Sequence, residues 1–438
     1  MTVDELRPLF AEHDIRRVKL GFFDIDGTLR GKYVGLDKFW SAAESGLGFC
    51  DVVLGWDIAD TLYDNAQVTG WHTGYPDTPM RIDLASFRAI PWEPNTALFL
   101  LDATAAEVAP RQVLARVVAQ ARELGYTPMF AVEYEFFIFQ ETPHSIREKN
   151  FQRLNPLSPG MFGYSVLRAS MHSPLVLQIL DDLAAFNVPL EGFHTETGPG
   201  VFEAAIAVDE ALAAADKAAL FKTAVKEIGA KHGVIPTFMA KWNAGLPGSS
   251  GHLHQSLRDA QTHRGLFGGM SPPMDHYVAG LVANLPELTA VFCPTINSYK
   301  RTVPGAWAPV NATWGIDNRT TAVRAILGGA KSSRIELRVT GADINPYLAI
   351  AASLAAGLDG TERRLELGAQ TVNAYTGEAP PLPRNLAEAT RRFRQSTVAR
   401  HWLGEEFVDH YARTREWEVR QFEKAVTDWE LARYFESV

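Results

Sequence analysis

Hydrophobic and polar positions follow one period in the first hundred residues and another after them. The early part is rich in β-formers, aromatics and turn residues. Val18 to Asp24 predicts a strand, Asp26-Gly27-Thr28 a turn, and Leu29 to Val34 a returning strand. Trp71 to Pro79 predicts a loop by composition. From Pro110 the period becomes helical: Val113, Leu114, Val117, Val118, Ala121 and Leu124 recur at three-to-four spacing until Gly125 stops them. The shift near residue 105 is the candidate domain boundary, giving 1–105 and 106–438. Beyond it, Asp209 to His232 and Pro346 to Leu358 predict long helices, and Asn385 onward a charged, aromatic-studded helical tail. Strands cluster instead of alternating strictly with helices, so the expected class is α+β rather than a doubly wound sheet.

Four further strand segments carry charge on one face. In Met129 to Phe139, a period of two puts Ala131, Glu133, Glu135, Phe137 and Phe139 together, so two carboxylates share a face amid apolar neighbours. A half-exposed strand wetting its outer face gives the same pattern. Carboxylates side by side repel, however, and apolar surroundings raise that cost unless cations intervene. His252-Leu253-His254 sets two imidazoles on one face after a Gly/Ser-rich approach. Arg334, Glu336 and Arg338 share a face, with a cross-strand ion-pair ladder as the plain alternative. His194-Thr195-Glu196 runs through Gly198-Pro199-Gly200 to Glu203, two carboxylates flanking a tight loop. Jointly, the four segments argue for a site.

Composition narrows the partners. The 438 residues carry 42 Lys+Arg against 51 Asp+Glu, a formal charge of −9, which argues against a general nucleic-acid binder. Two cysteines, Cys50 and Cys293, are too few for a disulfide framework or a thiolate metal cluster. The start, MTVDELRPLF, lacks the apolar core of a signal peptide, and the longest helix-like apolar stretch, Tyr347 to Leu358, falls short of the roughly 20 residues that cross a bilayer. The expectation is a cytoplasmic protein with no membrane partner.

Glu133, Glu135, Glu196, Glu203 and Glu336 with one histidine form a donor set for two hard divalent cations such as Mg²⁺, which keeps positions for water and phosphate oxygens. Arg301, Arg319, Arg324, Arg334 and Arg338 are dense for one short span, and arginine is the fork-shaped partner of phosphate and carboxylate. Together they read as phosphoryl transfer. Neither a GxxxxGK[ST] nor a GxGxxG motif occurs, which excludes the two common nucleotide folds.

In this order along the chain, VEYEFF, HTETGPGVFE, GSSGHLHQSL, NSYKRTVPG, NRTTAVRA, RIELRVTGADINPYLA and WELARY resemble the glutamine synthetase family over nearly the whole length. The resemblance implies a small N-terminal β-grasp-like domain and a large catalytic domain whose curved antiparallel sheet forms half of a barrel-like funnel. It implies homo-oligomers of stacked rings (dodecamers) with sites at subunit contacts. Carried over by motif, Glu135, Glu196 and Glu203 would hold one metal, and Glu133, His252 and Glu336 another, with two to three Mg²⁺ or Mn²⁺ in all. His254, Ser256, Arg324, Lys331 and Arg334 match ATP-binding positions. Arg319 matches the arginine that steadies the transferring phosphoryl group, Arg301 and Arg338 match the glutamate clamp, and Gly248 a backbone contact to glutamate. The implied reaction makes γ-glutamyl phosphate from glutamate and ATP, and an amine then displaces phosphate.

Departures from the family pattern fall on the second substrate. Ammonia-using members read VPGYEAP in a loop whose glutamate helps bind and deprotonate ammonium; here Trp307 stands in its place within Val303 to Pro309. An indole is no general base; it offers an apolar or cation-π wall. The usual FDGSS is Phe49-Cys50-Asp51-Val52-Val53, where Cys50 takes the aspartate's place and Asp51 replaces it only with a one-residue shift. Val201 and Pro247 replace a glutamine and an asparagine. These changes predict an organic amine in place of ammonia, as in the γ-glutamylamide ligases; the alternatives are a glutamine synthetase with a variant loop and a non-catalytic, sensor-like homologue. Val18 to Leu29 also matches the DxDGT motif of haloacid-dehalogenase-like phosphatases, with Asp24 as nucleophile, but no downstream acidic pair accompanies it.

Overall fold

The computed structural model describes residues 1–375 and 379–438. The first sheet contains β1 (Arg17–Phe23), β2 (Leu29–Val34), β3 (Leu47–Cys50), β4 (Asp77–Ala89) and β5 (Thr96–Ala103), in the order β2-β1-β5-β4-β3. Only the β1–β5 pair is parallel; the other neighbours run antiparallel. Helices Val3–Glu12 and Leu36–Ser45 cover one face around Leu6, Phe10, Phe39 and Phe99, giving a β-grasp-like unit. Its opposite face, with Phe23, Leu98 and Leu100, belongs to the core of the rest of the molecule.

The hairpin between β1 and β2 shows what the DxDGT segment does. Asp24 accepts from the Asp26 and Thr28 amides (3.1 and 2.8 Å) and from Arg30 Nε (2.7 Å), and Gly27 supplies the left-handed φ of +79°. Asn345 Nδ2 donates to the Asp24 and Ile25 carbonyls at 3.0 and 3.2 Å, while its Oδ1 caps the helix Pro346–Glu362. The Asp24 carboxylate is buried and occupied in holding a turn, which leaves it no room to act as a nucleophile.

The second sheet contains β6 (Tyr126–Phe139), β7 (Leu190–Thr195), β8 (Val201–Ile206), β9 (Asp209–Glu210), β10 (Ile235–Thr237), β11 (Gly251–Asp259), β12 (Trp314–Ile316), β13 (Val323–Ile326) and β14 (Arg334–Leu337). Its order is β12-β13-β14-β11-β6-β8-β7, with β9 and β10 also pairing β6, and it curls into a half-barrel with helices behind it. On the convex side, Phe221 of the helix Ala211–Lys231 stacks on Tyr134 and meets Phe136 edge-on. One face of β6 is thus sealed by aromatics, and Glu133 and Glu135 must occupy the other.

Helices Pro110–Glu123, Ala211–Lys231 and Pro346–Glu362 agree with their sequence patterns, with two differences at their ends and one at the start of a strand. Asp209–Glu210 pairs with β6 before the helix begins, Pro346–Glu362 runs past Leu358, and β4 begins at Asp77 inside the expected loop. The tail is four helices, Leu386–Gln395, Thr397–Leu403, Glu405–Lys424 and Asp428–Tyr434. Gly404, at φ +98°, makes one of the breaks. No helix among the described residues is long and apolar enough to cross a membrane.

Candidate active site

Register places the charged positions side by side on the concave face. Glu133 of β6 pairs with His252 of β11, and Glu135 pairs with Glu203 of β8. His254 pairs with Glu336 of β14, Glu336 with Arg324 of β13, and His194 of β7 with Glu203. Five of the six expected metal ligands sit on these strands, and Glu196 follows the end of β7, because a period of two returns the same face on every strand.

The donor atoms converge in two groups. Glu133, His254 and Glu336 present ligand atoms within 4.8 Å of one another, as do His194, Glu196 and Glu203. His254 Nε2 lies 3.0 Å from Glu133 Oε2, His252 Nδ1 3.3 Å from Glu336 Oε1, and His194 Nε2 3.0 Å from Glu203 Oε1. Glu135 faces the same funnel but accepts from the Ser250 amide at 2.8 Å. Arg334 Nε approaches His254 Nδ1 at 3.3 Å; donating there leaves the ring proton on Nε2, directed at Glu133. His252 Nε2, by contrast, is buried with no partner.

The donor set fits hard divalent cations. It is carboxylate oxygen with one or two imidazoles, it gathers like charges, and it includes a buried imidazole nitrogen with nothing bonded to it. Burial opposes the charge on Glu133, but hydrogen bonds from His252 and His254 outweigh it and hold the carboxyl well below its usual range. Burial also opposes Glu336, which His252 and Arg338 bring down to about 2. Glu203 goes the other way: burial, with Glu133 and Glu135 nearby, pushes it up to about 8, only partly offset by His194. The hydrogen bond to Glu203 in turn raises His194 to about 8.

The arginines divide into a buried group and an exposed group. Arg324 Nη1 donates to Glu336 Oε2 at 2.9 Å, and Arg324 and Arg338 each pair closely, with Asp317 and Glu336 respectively. Arg301 is buried, held by the Val339 and Arg338 carbonyls at 3.0 and 3.3 Å. Gly248 packs on it so tightly that a Cβ would lie 2.8 Å from Arg301 Cγ and 2.5 Å from the Ala240 carbonyl oxygen. Arg319, Lys331 and Arg334 are exposed, and Ser256 is half-buried on the His252–His254 face of β11. Trp307 is exposed at φ +57°, a strained conformation for a tryptophan that presents the indole to solvent. Asp51 accepts from Thr69 at 2.7 Å on the N-terminal unit.

Two residues join the site that the ligand and substrate positions inferred from sequence had not included. His194 was legible in hindsight, since it shares a face with Glu196 and lies opposite Glu203 across the hairpin. Tyr164 had no sequence signal, because it sits in irregular chain. Its ring stacks on His194 at 4.4 Å, and burial, then the charges of Glu196 and Glu203, push its phenol up to about 12.

A curled sheet carrying two clusters of carboxylates and histidines that could hold metal ions, with arginines around them, has the glutamine synthetase architecture. The model "Glutamine synthetase, catalytic domain" matches residues 107–434, and the chain belongs to the glutamine synthetase family of ATP-dependent carbon–nitrogen ligases. Type-1 glutamine synthetase 2 of Dictyostelium discoideum is 49% identical over 96% of this chain and 84% of that protein. Glutamate–isopropylamine ligase of a Pseudomonas species is 39% identical over 99% of this chain and 98% of its own. Among solved structures, a GmaS/ADP complex superposes with a TM-score of 0.85 at 28% identity, over 98% of this chain and 99% of that one.

Proposed function

We propose that this ligase joins the γ-carboxylate of glutamate to an organic amine. The observation that carries the reading is the contrast between an intact acidic and arginine-lined funnel and Trp307, which stands where an ammonia-using loop has its carboxylate. A relative named for isopropylamine supports it. A relative named as a glutamine synthetase, at 49% identity, favours ammonia as the second reading.

In the first step a glutamate γ-carboxylate oxygen attacks the γ-phosphorus of ATP and ADP leaves. In the second the amine nitrogen attacks the acyl carbon, loses a proton, and the C–O bond to phosphate breaks. Arg301 and Arg338 hold the glutamate with Gly248 behind it, and Arg319 steadies the phosphoryl group. His254, Ser256, Arg324, Lys331 and Arg334 line the nucleotide side. Glu135, Glu196 and Glu203 would hold one divalent cation, and Glu133, His252 and Glu336 the other; bound there, the cations would supply charge neutralisation to phosphate. Trp307 walls the amine site. Residues 1–105 form the N-terminal domain, packed through one sheet face onto the catalytic domain of 106–438, and subunits assemble in stacked rings.

Glutamate carrying ¹⁸O in its γ-carboxylate, with ATP and ethylamine, tests the reaction: one ¹⁸O per turnover passes to inorganic phosphate. Release of phosphate without label contradicts the acyl phosphate. Trp307→Glu tests the amine assignment, with ammonia turnover expected to rise relative to ethylamine turnover. An unchanged ratio removes Trp307 from the amine site.

A further inference from the structure

Away from the funnel, a cavity of about 400 Å³ opens between β4, the helix Pro110–Glu123 and the start of the helix Ala211–Lys231. Arg88 lines it and is 8% exposed. It lies just past the irregularity that interrupts the β4–β5 register between Asp83 and Arg88, a feature that re-aims side chains. Its Nη1 donates to the Ser86 carbonyl at 2.9 Å, its buried Nε has no partner, and it makes no salt bridge among the described residues. A buried guanidinium left in this state is costly unless something else supplies the oxygen atoms.

The remaining charges of the cavity are arranged differently. Lys217 bonds Asp209 and Arg122 bonds Glu210, one base to one acid. Arg111 alone serves three acids: Asp83 and Asp102, each at 2.6 Å, and Asp216 at 2.9 Å. Within the lining, Arg111 takes both Asp83 and Asp216, and Arg88 is left near these acids with no carboxylate bonded to it. Of its lining residues, four are acidic and four basic, so its formal charge is zero. A ligand bearing one charge would upset that balance, whereas a ligand bearing both signs satisfies each end.

We propose that this cavity binds a free α-amino acid as a zwitterion. The carboxylate pairs with the Arg88 guanidinium, and the ammonium faces the Asp83 and Asp216 carboxylates. The volume is at the small end of ordinary ligand sites, which suits a metabolite of amino-acid size. The site is separate from the glutamate clamp of Arg301 and Arg338, and it stands whether the ligase uses ammonia or an organic amine.

Calorimetric titration of the full-length protein with alanine, pyruvate and alanine methyl ester tests it, since the last two each lack one of the charges. Alanine binds wild type and Arg301→Gln with the same Kd, and pyruvate and the ester bind at least about tenfold more weakly, the worth of one charge-assisted hydrogen bond. Arg88→Gln weakens alanine by a similar factor. Ala115→Leu fills the cavity from its helix wall while leaving Arg88 and its contacts in place, and it decides the matter if Arg88→Gln fails to fold. Absence of alanine binding to wild type, pyruvate binding as tight as alanine, or loss of binding in Arg301→Gln but not in Ala115→Leu overturns the proposal.

Discussion

Glu203 and Glu336 lie in one funnel under opposite electrostatic conditions. Glu336 is held ionised by His252, Arg324 and Arg338, whereas Glu203 is buried beside other carboxylates and pushed up to about 8. Neutralising each should therefore affect stability oppositely. Glu203→Gln relieves repulsion, so the metal-free protein keeps or raises its Tm, while metal-dependent phosphate release falls by about 100-fold or more. Glu336→Gln leaves two buried guanidinium groups short of an acid and destabilises by about 3–5 kcal/mol. Thermal melts in EDTA alongside a turnover assay distinguish the two, and equal melting shifts contradict this electrostatic account. His410 gives a second residue-scale test away from the site. Burial pushes its imidazole down to about 4, against a weaker opposing pull from the Leu54 backbone. Between an unfolded value near 6.5 and that folded value, the unfolded chain takes a proton the folded chain refuses, so stability falls as pH drops. Urea unfolding at pH 7.5 and 5 should show a smaller loss in His410→Gln than in wild type.

Strand faces were legible because charge placed at period two in an apolar run survives folding intact: Glu133, Glu135, His252, His254 and Glu336 all emerge on the concave side. Elements that depend on a neighbour were not. Asp209–Glu210 resembles a helix start and is drawn into the sheet by pairing with Met129 and Phe130. Tyr164 reaches the site through irregular chain whose path no local pattern encodes. Close packing between helices is likewise a tertiary fact. Gly280, in the helix Pro272–Phe292, faces Gly360, in Pro346–Glu362, and a Cβ on Gly360 would lie 2.5 Å from the Gly280 backbone. Gly360→Ala should cost about 1–3 kcal/mol by forcing the helices apart, despite the better helix propensity of alanine. Chemical denaturation checks the sign; a stabilised variant contradicts the close approach.

Over the whole molecule, the charge of −9 disguises a deliberate placement. Arginines concentrate at the funnel, and others join distant parts of the chain. Arg415 of the C-terminal helix Glu405–Lys424 is buried against Asp26 of the N-terminal hairpin at 2.5 Å and the Pro294 carbonyl at 2.8 Å. Removing it leaves the largely covered Asp26 carboxylate with Tyr63 as its one remaining side-chain donor, so Arg415→Met should destabilise by up to about 3–5 kcal/mol and should loosen the hairpin and the tail together. Hydrogen exchange would show both segments losing protection; loss in the tail alone contradicts a shared seam. The same hairpin, through Asn345, abuts the helix that follows the RIELRVTGADIN segment, linking the N-terminal sheet to the strand that carries Glu336. The central claim concerns what the funnel accepts as its second substrate. ATP-dependent phosphate release at fixed glutamate, measured across ammonia and a panel of alkyl, hydroxyalkyl, diamine and aryl amines, tests it most directly. The account predicts that at least one organic amine exceeds ammonia in kcat/KM and yields the matching γ-glutamylamide. Efficient turnover with ammonia and none with any amine of the panel would contradict it.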